Sequence, residues 1–123
     1  MYFTEGTVED RLETGWLLDF YGPMLTDRQR EILSLWCEDD LSLSEIASQE
    51  GISRQGAYDT VRTAEQRLRE LEERLGLLSR YRRLTEGLGT CLEEVRAIPG
   101  EKARRAEALL SRLLAEEEEE NGL

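Results

Sequence analysis

Histidine is absent from the 123 residues, and cysteine occurs only twice, at Cys37 and Cys91. Without histidine the chain lacks the commonest general base, and neither cysteine belongs to the C-x-x-C pair typical of zinc sites. The sequence also has no nucleophile elbow and no glycine-rich phosphate loop. We therefore expect no enzyme activity, no metal and no cofactor, and we expect both cysteines to be small, buried or half-buried hydrophobic side chains.

Long apolar runs are missing as well. No stretch approaches the roughly 20 residues needed to cross a bilayer, and residues 1–15 lack the basic start and apolar middle of a signal peptide. These features predict a cytoplasmic protein that does not insert into membranes. Apolar residues make up 39% of the chain and aromatic residues 7%, which is enough for a modest core. Small helical domains of this kind often complete their core by pairing with a second copy.

The formal net charge is −11, which opposes non-specific binding to nucleic acid. The charge is unevenly distributed along the chain. Residues 1–25 carry five acids and one base, residues 84–123 carry ten acids and five bases, and residues 54–83 carry eight arginines against five acids. The two ends are therefore acidic, and the middle of the chain is mildly basic.

Helix start and stop signals divide the first half of the chain into helices. Thr7 is a predicted N-cap, and the spacing of four between Val8, Leu12, Trp16 and Phe20 predicts the buried face of a first helix, which Gly22 and Pro23 end. The later start signals are two capping boxes and a serine N-cap, at residues 26–29, residues 42–45 and Ser53.

The fourth predicted helix has apolar residues at alternating spacings of four and three, which is a heptad pattern. Its members are Ala57, Val61, Ala64, Leu68, Leu71, Leu75 and Leu78. Gly76 ends or bends this helix, whose end we place between Leu75 and Leu84.

The remaining chain is a predicted helical extension. Gly87 and Gly89 mark a joint, residues 90–97 form a short helix, and residues 101–115 form a last helix. The apolar side of that last helix comprises Ala106, Leu109, Leu110, Leu113 and Leu114, and the five glutamates of residues 116–120 are expected to be frayed or disordered. We therefore predict a helix-turn-helix domain with an N-terminal helix over residues 1–85 and a helical extension with a frayed acidic tail over residues 86–123.

Residues 41–62, LSLSEIASQEGISRQGAYDTVR, carry the most informative pattern. A short capped helix, a turn containing Gly51 and a second capped helix make up a helix-turn-helix. Ala47 is small where the two helices must cross, and Gly51 suits a position of positive φ. The predicted core comprises Ile32, Leu35, Trp36, Ile46, Ala47, Ile52, Ala57 and Val61.

Three segments resemble the promoter-reading C-terminal region of sigma factors: LTDRQRE at residues 25–31, LSLSEIA at 41–47 and GISRQ at 51–55. A wider set is similar to the YlxM family of small bacterial helix-turn-helix proteins, over roughly residues 15–85. That set is LDFYG at 18–22, DLSLSEIA at 40–47, ISRQ at 52–55, Tyr58-Asp59 and LGL at 75–77. The resemblance implies an all-α, sigma-factor-like helix-turn-helix bundle, in which a long helix extends from the recognition helix.

Genes of the YlxM family typically lie beside those for the signal recognition particle protein and its receptor. The resemblance therefore implies a protein that takes part in, or regulates, that targeting pathway. Together with the missing catalytic residues, the helix-turn-helix leads us to expect a non-catalytic regulator that binds DNA or the particle RNA. The candidate contact residues of the second helix are Arg54, Gln55, Tyr58 and Arg62. A second candidate cluster, in which arginines grip phosphates and a tyrosine stacks on an unpaired base, comprises Arg80, Tyr81, Arg82 and Arg83.

Other interpretations remain open. The same arginines could belong to solvated helix faces, which Asp59 and the net charge favour. The helix-turn-helix could also be only a scaffold in a regulator that binds the signal recognition particle protein or its receptor, a targeting GTPase, through the acidic ends.

The heptad pattern further predicts a homodimer with Leu68, Leu71, Leu75 and Leu78 at its interface. The N-terminal helix is expected to contribute to this interface. Pairing of Arg67 with Glu72 of the second copy would favour a parallel orientation.

Overall fold

The computed structural model of the chain describes residues 8–120, with side chains for residues 11–119. Within these residues every regular element is helical, which confirms the predicted all-α class. The elements are α1 (Val8–Tyr21), a 3-10 turn (Gly22–Met24), α2 (Asp27–Cys37), α3 (Leu43–Glu50), α4 (Arg54–Leu75), α5 (Leu77–Arg96) and α6 (Glu101–Glu120). Among these helices, none has an apolar stretch long enough to cross a lipid bilayer.

The predicted helix starts are present in the structure. The Thr26 hydroxyl accepts from the Gln29 N–H over 3.1 Å, and the Gln29 side chain accepts from the Thr26 N–H over 3.1 Å. Ser42 and Glu45 form the same reciprocal pair at the start of α3. Gly51 ends α3 with a φ of 68°, as the turn requires.

The helices α1 to α4 form one compact unit, which ends at Gly76. Helices α1, α2 and α3 all pack against α4. The predicted core is confirmed except at Ile52, which is half-buried at the turn. The buried members are Ile32, Leu35, Trp36, Ile46, Ala47, Ala57 and Val61.

The predicted buried face of α1 is wrong. Leu12 is 60% exposed, and Trp16 and Phe20 are half-buried. The buried face comprises Thr14, Leu17, Leu18 and Tyr21 instead, because Thr14 and Tyr21 both form hydrogen bonds to α4. Thr7 and the side chain of Val8 lie outside the described residues.

The second unit begins at Leu77 and consists of α5 and α6. Gly76, with a φ of 62°, ends α4, but α5 then continues through Gly87 and Gly89, so the predicted joint is wrong. Packing against α6 offsets the roughly 1 kcal/mol that each glycine costs in a helix. The division predicted at residues 85 and 86 therefore falls inside α5.

Helices α5 and α6 are antiparallel. Near the turn between them, the Arg104 guanidinium donates to the carbonyls of Val95 and Ile98, and at the other end Arg80 lies 3.8 Å from Glu117. The helix α6 extends to Glu120, which corrects the expectation that residues 116–120 are frayed. Glu117, in this last part of the helix, is half-buried.

The predicted apolar side of α6 is only partly turned inward. Leu110 and Leu114 are half-buried, whereas Ala106, Leu109 and Leu113 are exposed. The half-buried face of α6 is therefore rotated about the helix axis from the predicted face, toward Leu110 and Leu114.

Candidate nucleic-acid interface

The helix-turn-helix consists of α3, the turn at Gly51 and the N-terminal part of α4. The Ser53 hydroxyl accepts from the Gly56 N–H over 2.9 Å, which fixes the first turn of α4. Arg54 and Gln55 are therefore the first two residues of the helix, and both are exposed. In DNA-binding proteins of this type, the N-terminal part of the second helix enters the major groove.

The candidate contact residues lie on the exposed side of the N-terminal part of α4. Gln55, Asp59 and Arg62 follow a spacing of four and three, so they lie on one side of the helix, and all three are exposed. Tyr58 is half-buried. The structure thus brings together the four candidate residues Arg54, Gln55, Tyr58 and Arg62 on one helix, with Asp59 among them.

Two acidic residues of α4 turn away from this exposed surface. Glu65 accepts a hydrogen bond from the Thr14 hydroxyl over 2.7 Å, and Glu72 accepts one from the Tyr21 hydroxyl over 2.6 Å. The five arginines of α4 are all exposed, and only three acidic residues, Asp59, Glu70 and Glu73, are exposed with them. The surface of α4 is therefore more basic than its sequence indicates.

Arg11 is a positioning residue that the sequence did not single out. Its guanidinium lies 3.7 Å from the centroid of the Trp36 ring and donates to the carbonyls of Trp36 and Leu41. It also forms an ion pair with Asp40, which has a positive φ of 53°. These contacts hold the α2–α3 turn against α1 and so stabilise the position of α3 in the helix-turn-helix.

A pocket of about 240 Å³ lies beside Asp59, between the start of α2 and the middle of α4. Three of the side chains that line it are threonines. The lining residues are Thr26, Arg28, Gln29, Asp59, Thr60 and Thr63.

The second candidate cluster lies on α5. Arg80, Arg82 and Arg83 are exposed, as phosphate contacts require, but Tyr81 is only 7% exposed. Burial, together with the nearby Glu118 and Glu117, raises the pKa of the Tyr81 hydroxyl. With so little of its ring exposed, Tyr81 has little surface with which to stack on a base, and that role stays a prediction.

The leucines of the predicted dimer interface are mostly buried within a single chain. Leu68 is fully buried, Leu71 and Leu78 are also buried, and Leu75 alone is exposed, at 51%. A partner was expected because the heptad leucines would otherwise be exposed to solvent. Since three of the four are buried within the chain, that reason no longer holds. The pairing of Arg67 with Glu72 also loses support, because Glu72 bonds to Tyr21. The dimer itself stays a prediction.

The two cysteines are free thiols in different environments. Cys37 is half-buried, as expected, and burial raises its pKa to about 12, with the Glu65 charge adding to the effect. Cys91 is exposed, which corrects the expectation that it is buried or half-buried. In the described part of the chain, no group of three or more acidic or cysteine side chains is arranged to hold a metal ion.

Comparison with known proteins agrees with the helix-turn-helix. A family model described as "Putative helix-turn-helix protein, YlxM / p13 like" (UPF0122) matches residues 8–107. A UPF0122 protein of Lacticaseibacillus casei is 39% identical over 97 residues, which cover 78% of this chain and 86% of that protein. One from Symbiobacterium thermophilum is 40% identical over 94 residues, which cover 76% and 88%. A Thermoanaerobacter relative is 49% identical over 72 residues, covering 58% and 62%. The chain belongs to the UPF0122 family of YlxM/p13-like helix-turn-helix proteins.

Proposed function

We propose that this protein is a non-catalytic regulator that binds nucleic acid through the exposed N-terminal face of α4. The observation that carries the proposal is the charge of that helix surface. Five arginines are exposed on α4, while hydrogen bonds to α1 engage Glu65 and Glu72. Membership of a helix-turn-helix family agrees with this use of the surface.

Each residue of the face has a role in this proposal. Arg54 and Arg62 neutralise phosphates of the nucleic-acid backbone. Each such contact releases condensed counterions and so adds to the affinity. Gln55 and Tyr58 lie between them and face the base edges. On the second unit, Arg80, Arg82 and Arg83 supply further phosphate contacts.

The ligand we propose first is the RNA of the signal recognition particle, with duplex DNA as the second. The YlxM resemblance supports the particle RNA, because it associates the family with that targeting pathway. The resemblance to sigma factors supports duplex DNA, since their helix-turn-helix reads promoters.

Binding to each ligand is measured by fluorescence anisotropy over a series of salt concentrations. The probes are the labelled particle RNA, a labelled DNA duplex and a labelled, purified GTPase of the targeting pathway. Nucleic-acid binding that weakens steeply with salt supports the proposal. Binding to the GTPase alone overturns it.

That last result would support the alternative function, a regulator of a targeting GTPase that uses the helix-turn-helix only as a scaffold. One structural feature favours this alternative. The end of α6 exposes Glu116, Glu118 and Glu119, an acidic surface suited to a basic partner.

A further inference from the structure

Gln55 and Asp59 form a hydrogen-bonded pair at the centre of the exposed α4 face. The Gln55 amide nitrogen donates to Asp59 Oδ1 over 2.9 Å. An ionised carboxylate can only accept, so the amide must turn its NH₂ group toward Asp59. Within residues 8–120, neither the Gln55 oxygen nor the second Asp59 oxygen accepts another hydrogen bond. The pair therefore presents mainly hydrogen-bond acceptors.

The charge of Asp59 limits what this part of the face can contact. A carboxylate repels phosphate, so the pair is unsuited to the nucleic-acid backbone, which Arg54 and Arg62 are better placed to contact. Base edges differ in what they offer an acceptor. In the major groove adenine and cytosine present exocyclic amino groups, whereas guanine presents only the acceptors N7 and O6 there.

We propose that the Gln55–Asp59 pair selects bases by an exocyclic amino group, so that in the major groove of a duplex it prefers adenine or cytosine to guanine. This inference rests on the proposed function and names the bases that the same face reads. The amino group can come from an unpaired base or from a base pair in the major groove. The pocket beside Asp59, which Thr60 and Thr63 also line, offers room for an unpaired base.

The test uses two labelled oligonucleotides that differ only in this amino group. One carries adenine, and the other carries purine, which is adenine without its 6-amino group. Each is measured single-stranded and paired with the same thymine-containing strand, so that the two sources of the amino group are separated. We expect the adenine probe to bind at least about fivefold more tightly in one or both forms.

Gln55→Ala/Asp59→Ala assigns that preference to the pair. Alanine offers no acceptor at either position, so the preference should fall to about onefold, while the loss of a negative charge should raise affinity for the purine probe. Glu70→Gln is the matched control. It removes an exposed charge from the same helix and should raise affinity while leaving the preference unchanged.

The outcomes separate this inference from the proposed function. Equal binding of adenine and purine probes by the unaltered protein overturns the inference and leaves nucleic-acid binding intact. A preference that survives in Gln55→Ala/Asp59→Ala also overturns it. Failure to bind any probe at low salt removes the proposed function and this inference together.

Discussion

The Thr14 hydroxyl donates a 2.7 Å hydrogen bond to the Glu65 carboxylate, and both side chains are buried. Seven residues later on each helix, the Tyr21 hydroxyl donates to Glu72 over 2.6 Å. Because the second bond lies seven residues further along both helices, α1 and α4 run parallel and in register. This pairing stabilises α1 against the recognition helix and keeps two negative charges off the surface that we propose binds nucleic acid.

Replacing Thr14 by valine tests how much this register contributes to stability. Valine has nearly the same shape but cannot donate, so the buried Glu65 carboxylate loses one hydrogen bond, and the free energy of unfolding should fall by about 1–3 kcal/mol. Urea denaturation monitored by circular dichroism measures the change. Thr63→Val, at an exposed threonine of α4, is the control and should alter stability by less than about 0.5 kcal/mol. Equal stability of Thr14→Val and the unaltered protein would show that the hydrogen bond contributes nothing.

The capping box of α3 should make the fold sensitive to acid. Hydrogen bonds from the Ser42 backbone and side chain lower the pKa of Glu45 below its usual 4.5. A lowered pKa means that Glu45 adds stability above pH 4.5, and that this contribution is lost as the pH falls through the lowered value. Glu45→Gln keeps a capping side chain without a titrating group. Between neutral pH and about pH 3, its Tm should fall less than that of the unaltered protein. Parallel decreases in the two proteins would contradict this assignment.

The two thiols should differ sharply in reactivity. With a pKa of about 12, Cys37 is almost entirely protonated at mildly alkaline pH, and its half-burial limits access further. Cys91 is exposed. A thiol reagent such as dithionitrobenzoate should modify one cysteine in the native protein and both in denaturant. Native Cys91→Ser should remain unmodified, and rapid modification of that variant would show that Cys37 is accessible.

The homodimer is best tested at Leu75, the exposed member of the heptad stripe. Sedimentation equilibrium of a dimer gives twice the 14.2 kDa of the chain, and Leu75→Glu should restore the single mass if this leucine is in the interface. Leu71→Glu is unsuitable because Leu71 is buried within the chain. Leu113→Glu, at an exposed leucine of α6, is the control. A mass of 14.2 kDa for the unaltered protein would rule out the dimer at that concentration.

Local signals in the sequence predicted the helix-turn-helix well. The capping boxes at Thr26 and Ser42 and the glycine turn at Gly51 depend on residues within a few positions of one another, and the structure contains all three. The core around Ala47 and Val61 follows from helical periodicity.

Features that depend on distant residues were predicted poorly. The buried face of α1 is set by hydrogen bonds to Glu65 and Glu72, which lie 51 residues away from their partners, and no local pattern indicates them. Arg11 similarly contacts the α2–α3 turn across a long sequence separation. Packing of α5 against α6 outweighs the helix-breaking tendency of Gly87 and Gly89. Tyr81 is buried although the exposed Arg80 and Arg82 flank it in the sequence.

The most direct test of the central claim is the salt dependence of nucleic-acid binding by Arg54→Ala/Arg62→Ala. The control, Arg96→Ala/Arg105→Ala, removes two exposed arginines from the other unit and changes the net charge equally. If Arg54 and Arg62 contact phosphates, the first variant should bind the particle RNA or duplex DNA more weakly. Its slope of log K against log salt should be reduced by roughly 1.4–1.8, while the control keeps its slope. Equal affinity and slope in both variants would contradict the claim that α4 is the nucleic-acid-binding surface.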